Sequence, residues 1–227
     1  MKIYKFREKE DYIFYLSEII SDTVKYKERL NRYLSEINGL IALNPEAKVI
    51  DALVYESVSD KSKAILYYLF NLLGDESKSA VSYRKFRKRL VKGEPCLGAK
   101  FEVLTNEEAQ VLNSFNQHRN WGLHVPESLY THKREIYEIT GAVIDKYKDT
   151  VPLEVYEYFD IKYLTSLQSE LAVVVSSIEI LEKRMMQDYL KLAGVHFQVS
   201  LVRLKVKPYK IMDVVQASFN TQTKKNT

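Results

Sequence analysis

Cysteine is almost missing from this chain. Cys96 stands alone among 227 residues, so no internal disulfide can form and nothing points to an oxidising compartment. Glycine and proline are scarce, at seven and five residues, which leaves the long uninterrupted stretches that helices prefer. No run of about 18 apolar residues occurs, so no transmembrane helix and no membrane partner are expected. Glu8, Glu10, Asp11 and Glu18 interrupt the apolar core that a signal peptide would need. A soluble, cytoplasmic protein is the expectation. Several chemistries lack their signatures as well. There is no P-loop, no G-x-G-x-x-G, no G-x-S-x-G and no H-E-x-x-H, and Cys96 has no obvious partner base. Neither a cofactor nor a metal is expected.

What is present fits a globular helical protein. The chain is 46% hydrophobic and 28% charged, an ordinary balance that argues against disorder. The net charge of +4 permits an anionic partner without requiring one. Its distribution is more informative. Arg84, Lys85, Arg87, Lys88, Arg89 and Lys92 form the densest positive cluster, with no acidic residue among them.

Apolar periodicity predicts the elements. Leu16, Ile20, Thr23, Tyr26, Leu30, Leu34, Ile37 and Ile41 recur at helical steps over 11–43. Asn44-Pro45 should stop that helix and start a shorter one through Val58. Asp60 is a plausible N-cap for a second segment over 61–73, whose Ala64-Ile-Leu-Tyr-Tyr-Leu-Phe suggests a place in the middle of the core, with Gly74 as its end. A short basic helix is predicted over 79–91 and a loop over 93–98. Thr105-Asn-Glu-Glu108 has the form of a capping box, so a helix should start there, with Ala109, Leu112, Phe115 and Arg119 in its stripe. Pro126 should end it by extending Val125, and then open another helix to about Lys148. Residues 160–193 read as the longest helix, closed by Gly194. Val195, Phe197, Val199 and Leu201 alternate as in a strand, so a short β element is expected near 195–207, then a short helix over 211–219. The fold class is all-α or mainly α, an up-and-down bundle of about 6–8 helices. It forms a single domain over 1–220, followed by a flexible tail over 221–227.

One segment carries candidate chemistry. His118, His124 and His132 fall close together around Trp121, the only tryptophan. Their spacing does not suit a metal site. Arg119 offers forked N–H donors that match two phosphate oxygens. Histidine titrates near neutrality, so His124 can take or give a proton. Asn120 could orient either partner. These parts suit metal-free cleavage of a ribose-phosphate backbone, with imidazole deprotonating the 2′-OH and guanidinium stabilising charge on the phosphorus oxygens. The basic cluster could follow RNA phosphates, with Tyr83 and Phe86 as stacking faces.

Arg119-Asn-Trp-Gly-Leu-His124 resembles the R-x4–6-H motif of the HEPN superfamily, including the polar residue that often follows the arginine. The resemblance covers this motif and the general helical setting. It implies an all-helical, metal-independent endoribonuclease of toxin–antitoxin, abortive-infection or antiviral systems. It also implies a homodimer with one composite cleft, RNA as substrate and an antitoxin protein as a partner. Arg119 and His124 would carry catalysis, supported by Asn120.

Plainer roles stay open for each residue. Arg119 could form an ion pair with Glu107, Glu108 or Glu127, His124 could cap a turn, and His132 could sit at the core edge. The basic cluster could be a solvated helix face. Two other functions fit the same residues: a non-catalytic HEPN-like module binding a nucleotide or nucleic acid, and a helical protein-interaction subunit.

Overall fold

The computed structural model describes residues 4–43, 45–78, 80–140, 155–200 and 202, excluding the side chains of 122–129, 132, 133 and 136–140. Its elements run α1 (Lys9–Leu43), β1 (Val49–Asp51), α2 (Ala52–Gly74), α3 (Tyr83–Lys92), α4 (Asn106–Thr140), β2 (Tyr158–Asp160) and α5 (Ile161–Ala193). A 3₁₀ turn at Pro95–Leu97 lies between α3 and α4. The mainly helical expectation therefore holds, with five α-helices among the described residues. Met1–Phe197 forms one compact unit and Gln198–Thr227 another; the elements above belong to the first. Residues 195–200 and 202 carry no strand. The expected helix over 211–219 and the tail lie outside the described residues.

The core forms chiefly between α1 and α5. On α1 the predicted stripe is buried at Leu16, Ile20, Thr23, Leu30 and Ile37, with Tyr12, Ile19 and Val24 widening it. On α5, Leu164, Leu167, Leu171, Val175, Ile178, Leu181, Met185 and Leu192 face inward. Each fully buried Leu or Ile stabilises the fold by roughly 1.5–3 kcal/mol relative to exposure, so this seam dominates. A window of α5 reaches a mean hydropathy of 1.3, enough by length and composition alone to cross a bilayer. The window is not an unbroken apolar run, because polar residues such as Ser176, Ser177 and Glu179 interrupt it. A core helix can meet the same test; α5 buries one stripe, and 33% of that window is buried. At 33 residues it is slightly shorter than α1 and α4, with 35 each.

Two of the expected helix breaks do not occur. α2 passes through Asp60 without interruption and starts instead at Asp51, whose carboxylate accepts from the Val54 backbone N–H at 3.2 Å. The buried positions Val58, Ser62, Ile65 and Leu69 keep helical step across Asp60, which faces solvent. An aspartate there costs only a few tenths of a kcal/mol in propensity. Nor is the apolar stretch that follows wholly interior. Ile65, Leu69 and Phe70 are buried, whereas Tyr67 and Tyr68 are each 38% exposed. Tyr68 stacks on Tyr26 and donates to Asp22.

The second absent break is at Pro126, where α4 continues to Thr140. A proline inside a helix removes one backbone hydrogen bond, here the one to the Gly122 carbonyl, and α4 tolerates that loss. With these two mergers, and with the expected helix over 211–219 outside them, the described residues hold five α-helices.

Where α4 begins, the capping box forms as expected. Thr105 N donates to Glu108 Oε2 at 2.7 Å, and Glu108 N to Thr105 Oγ1 at 3.2 Å. α3 is shorter than predicted because Ser82 takes the N-cap, accepting from Lys85 N. Its C-terminus is closed by Gly93, whose left-handed φ of 78° favours glycine.

A small feature links the two apolar-apolar-Asp segments. β1 and β2 pair antiparallel, with Val49 opposite Asp160, Ile50 opposite Phe159 and Asp51 opposite Tyr158. The exchange continues into the helices: Ala52 N donates to Glu157 O at 2.9 Å, and Ile161 N to Lys48 O at 3.0 Å. Asp160 caps α5 as Asp51 caps α2, accepting from Lys162 N at 2.8 Å. Two helices thus start from one reciprocal clasp.

Candidate functional site

α2 and α4 are held closely together just before the motif. An added Cβ on Gly74 would lie 2.8 Å from Asn116 N and 2.9 Å from Phe115 Cβ, so only glycine allows this approach. Phe115 packs against Phe70, with ring centroids 5.1 Å apart. One turn further along α4 stands Arg119. Its Nε donates to Asn71 Oδ1 at 3.2 Å, Nη1 to Asn120 Oδ1 at 2.9 Å and Nη2 to Asp75 Oδ2 at 3.3 Å. The ionic partner is therefore Asp75; no ion pair to Glu107 or Glu108 forms, and the side chain of Glu127 lies outside the described residues. Asp75 is 8% exposed and also accepts from Ser77 N at 2.7 Å and Ser77 Oγ at 3.2 Å. A guanidinium has five N–H donors. Described partners engage three of Arg119's.

From Arg119 to His124 the chain is continuous helix. Five helical steps rotate position 124 by about 140° from position 119 and raise it by roughly 7.5 Å along the axis. The two positions therefore do not share a face of α4. The side chains of His124 and His132 lie outside the described residues. The hydrogen bonds of His118 go to Ser114. Its Nδ1 lies 2.8 Å from Ser114 O, and its ring lies 5.4 Å from that of Phe70. Beside it, Trp121 is 75% exposed, and Gln117, His118 and Trp121 line an open cleft of about 460 Å³. Among the described residues no group of three His, Cys, Asp or Glu side chains could hold a metal ion.

The basic cluster separates by helix face. Arg87 is 1% exposed; its Nη1 bonds Asp188 Oδ1 at 2.7 Å, and its Nη2 bonds the Glu102 carbonyl. Arg84 donates to Leu112 O at 3.0 Å and Asn113 Oδ1 at 2.7 Å, and pairs with Glu76 at 2.9 Å. Lys85 donates to Ser77 O at 2.7 Å and Lys78 O at 3.1 Å. Lys88 joins Arg84 on Glu76, and Arg89 lies over the Phe6 ring at 5.2 Å. Lys88, Arg89 and Lys92 are the exposed members. Tyr83 and Phe86, expected as stacking faces, are fully buried. The α3 period places them inward with Arg87 and Leu90, a pattern masked in the sequence by the density of charge.

Arg87 belongs to a buried polar group that sequence reading missed. Asp188 Oδ2 accepts from Tyr83 Oη at 2.9 Å, and Arg184 Nε stands 3.3 Å from Asp188 Oδ1. Arg184 Nη2 also donates to Glu102 O at 3.2 Å. Burial pushes the Asp188 carboxyl above its usual range, against the pull of both guanidiniums, and pushes the Tyr83 phenol well up. The signal was present on α5: Arg184 and Asp188 sit four apart, flanking Met185 in the apolar stripe.

No known family model matches the chain, and no match to a curated protein or a solved structure was found.

Proposed function

We propose that this protein is a metal-independent endoribonuclease of the HEPN type, working as a homodimer in a growth-arrest or antiviral role. The observation that carries the reading is Arg119 itself. It is held by Asn71 and Asp75 and bonded to Asn120, within the sequence Arg119-Asn-Trp-Gly-Leu-His124. A guanidinium held this way keeps its orientation without ordering by substrate, as a preorganised anion donor should. Positions 119 and 124 do not share a face of α4, and on this reading His124 of one chain works beside Arg119 of the other. The imidazole takes the 2′-OH proton, the 2′-oxygen attacks phosphorus and the 5′-oxygen leaves with a proton from a second acid or water. The products are a 2′,3′-cyclic phosphate and a 5′-OH end. Of the α3 cluster, the exposed Lys88, Arg89 and Lys92 would meet RNA phosphates.

A cleavage assay on labelled RNA in the presence of a chelator tests this. Wild type should cut, and Arg119→Ala and His124→Ala should each lose at least a hundredfold in rate. Equal behaviour of all three, including no cutting by any, refutes catalysis. Light scattering at micromolar concentration should give a dimer.

A second reading is favoured by the Arg119–Asp75 pair: a helical interaction subunit in which the arginine ties α4 to the end of α2. On that reading Arg119→Ala lowers the melting temperature by several degrees and wild type cuts nothing. Binding of RNA without cleavage, abolished by the same variant, would mark a non-catalytic module.

A further inference from the structure

Strand cleavage by 2′-OH attack needs two proton transfers, and His124 accounts for one of them. The other goes to the 5′-oxygen, a poor leaving group until it is protonated. Imidazole is the side chain most often used for such a transfer.

His118 has the setting for it. Its Nδ1 lies 2.8 Å from Ser114 O and 3.2 Å from Ser114 Oγ. A carbonyl oxygen only accepts, so Nδ1 carries a proton and donates it there. The ring also packs beside Phe70, with centroids 5.4 Å apart. Both contacts fix its orientation, and the first fixes its tautomer. Both hydrogen bonds of the ring use Nδ1, so Nε2 is left to exchange its proton with a ligand.

What surrounds the ring suits a substrate. His118 is exposed and lines the cleft of about 460 Å³ with Gln117 and Trp121, a volume within the range of ligand sites. Trp121 follows at i+3 on the same face and is 75% exposed, so its indole is open to a stacking base. The guanidinium is near at hand. Arg119 bonds Asn71 while His118 packs on Phe70, so the two side chains stand beside consecutive residues of α2.

We infer that His118 is the acid of the cleavage, giving its Nε2 proton to the departing 5′-oxygen. This rests on the nuclease reading. As the bond from the 2′-oxygen to phosphorus forms, the bond from phosphorus to the 5′-oxygen breaks. His124 gains a proton, His118 loses one, and exchange with water restores both. The leaving nucleoside occupies the cleft, with its base against Trp121.

Two RNAs of one sequence test the assignment on the full chain. One is natural, and the other carries sulfur in place of the 5′-oxygen at the mapped cleavage site, so that its thiolate leaves without a proton. His118→Ala should slow the natural RNA at least a hundredfold and the sulfur RNA less than tenfold. His118→Asn retains a donor for the Ser114 carbonyl but cannot deliver a proton, and it should show the same split. Arg119→Ala should slow both RNAs alike. Equal losses on the two RNAs in the His118 variants overturn the acid role, as does full cleavage of natural RNA by His118→Asn; the nuclease reading survives either result. If wild type cuts neither RNA, that reading fails and the inference falls with it.

Discussion

Arg119 Nη2 and Asp75 Oδ2 lie 3.3 Å apart across the seam between α2 and α4, joining the middle of one helix to the residue that ends the other. Asp75→Asn keeps the shape and removes the charge. It should cost about 1–2 kcal/mol, lowering the melting temperature by roughly 2–8 °C. Calorimetric or circular-dichroism melts check this. No change would mean the pair adds nothing beyond what solvent gives the separate ions.

Gly74 and Gly39 should respond in opposite directions to the same substitution. Gly74→Ala forces a methyl to within 2.8 Å of the Asn116 backbone nitrogen and should destabilise by about 1–3 kcal/mol. Gly39 lies inside α1 with nothing within 4 Å of an added Cβ. There alanine should stabilise by about 0.5–1 kcal/mol. Urea unfolding of both variants gives the comparison.

The paired N-caps yield a coupling measurement. Asp51→Ala and Asp160→Ala should each cost about 0.5–2 kcal/mol. Both residues also belong to the two-stranded ladder, so the double variant should depart from the sum by more than about 0.5 kcal/mol. Strict additivity would show that the caps act independently of the strands.

Glu76 sets a pH dependence. The Lys88 hydrogen bond, with the nearby Arg84 and Lys88 charges, holds its carboxyl below the usual value of 4.5. Folding therefore favours the ionised form. This contribution is fully present above the unfolded-state value and is lost as pH falls through the lower folded one. As pH falls below the ordinary carboxyl value of 4.5, wild type should lose more stability than Glu76→Gln. Parallel pH–stability curves for the two would refute it.

Most of the architecture could be read from apolar spacing, because a helix that packs along one stripe must repeat near 3.6 residues. That rule located α1 and α5 to within a few residues, and Thr105 and Glu108 marked the start of α4 through their own side chains. The failures share one cause. Asp60 and Pro126 are local breakers, and both were weighed by identity rather than by whether the periodic face continued past them. The strands escaped because three residues are too few to show alternation; Val49 to Asp51 and Tyr158 to Asp160 gain meaning only from each other. At the candidate site, Arg119 stood out for continuing a buried stripe and thus needing a partner. Asp75 could not be named, since it lies 44 positions away and meets Arg119 only through the close contact at Gly74. The α3 cluster misled because its residues are adjacent in sequence, while the step of about 100° from one residue to the next leaves Arg87 buried and Lys88 exposed.

The β1–β2 clasp imposes an order on assembly. Asp51 opposes Tyr158, a separation of 158 − 51 = 107 positions, so closing it carries the entropic cost of a long loop. As the chain leaves the ribosome, α2 must wait for Glu157 before the Ala52 backbone finds its acceptor. The early helices can gather beforehand through short-range contacts, but the shared starting point of α2 and α5 is sealed late. Variants that weaken it should therefore speed unfolding more than they slow folding.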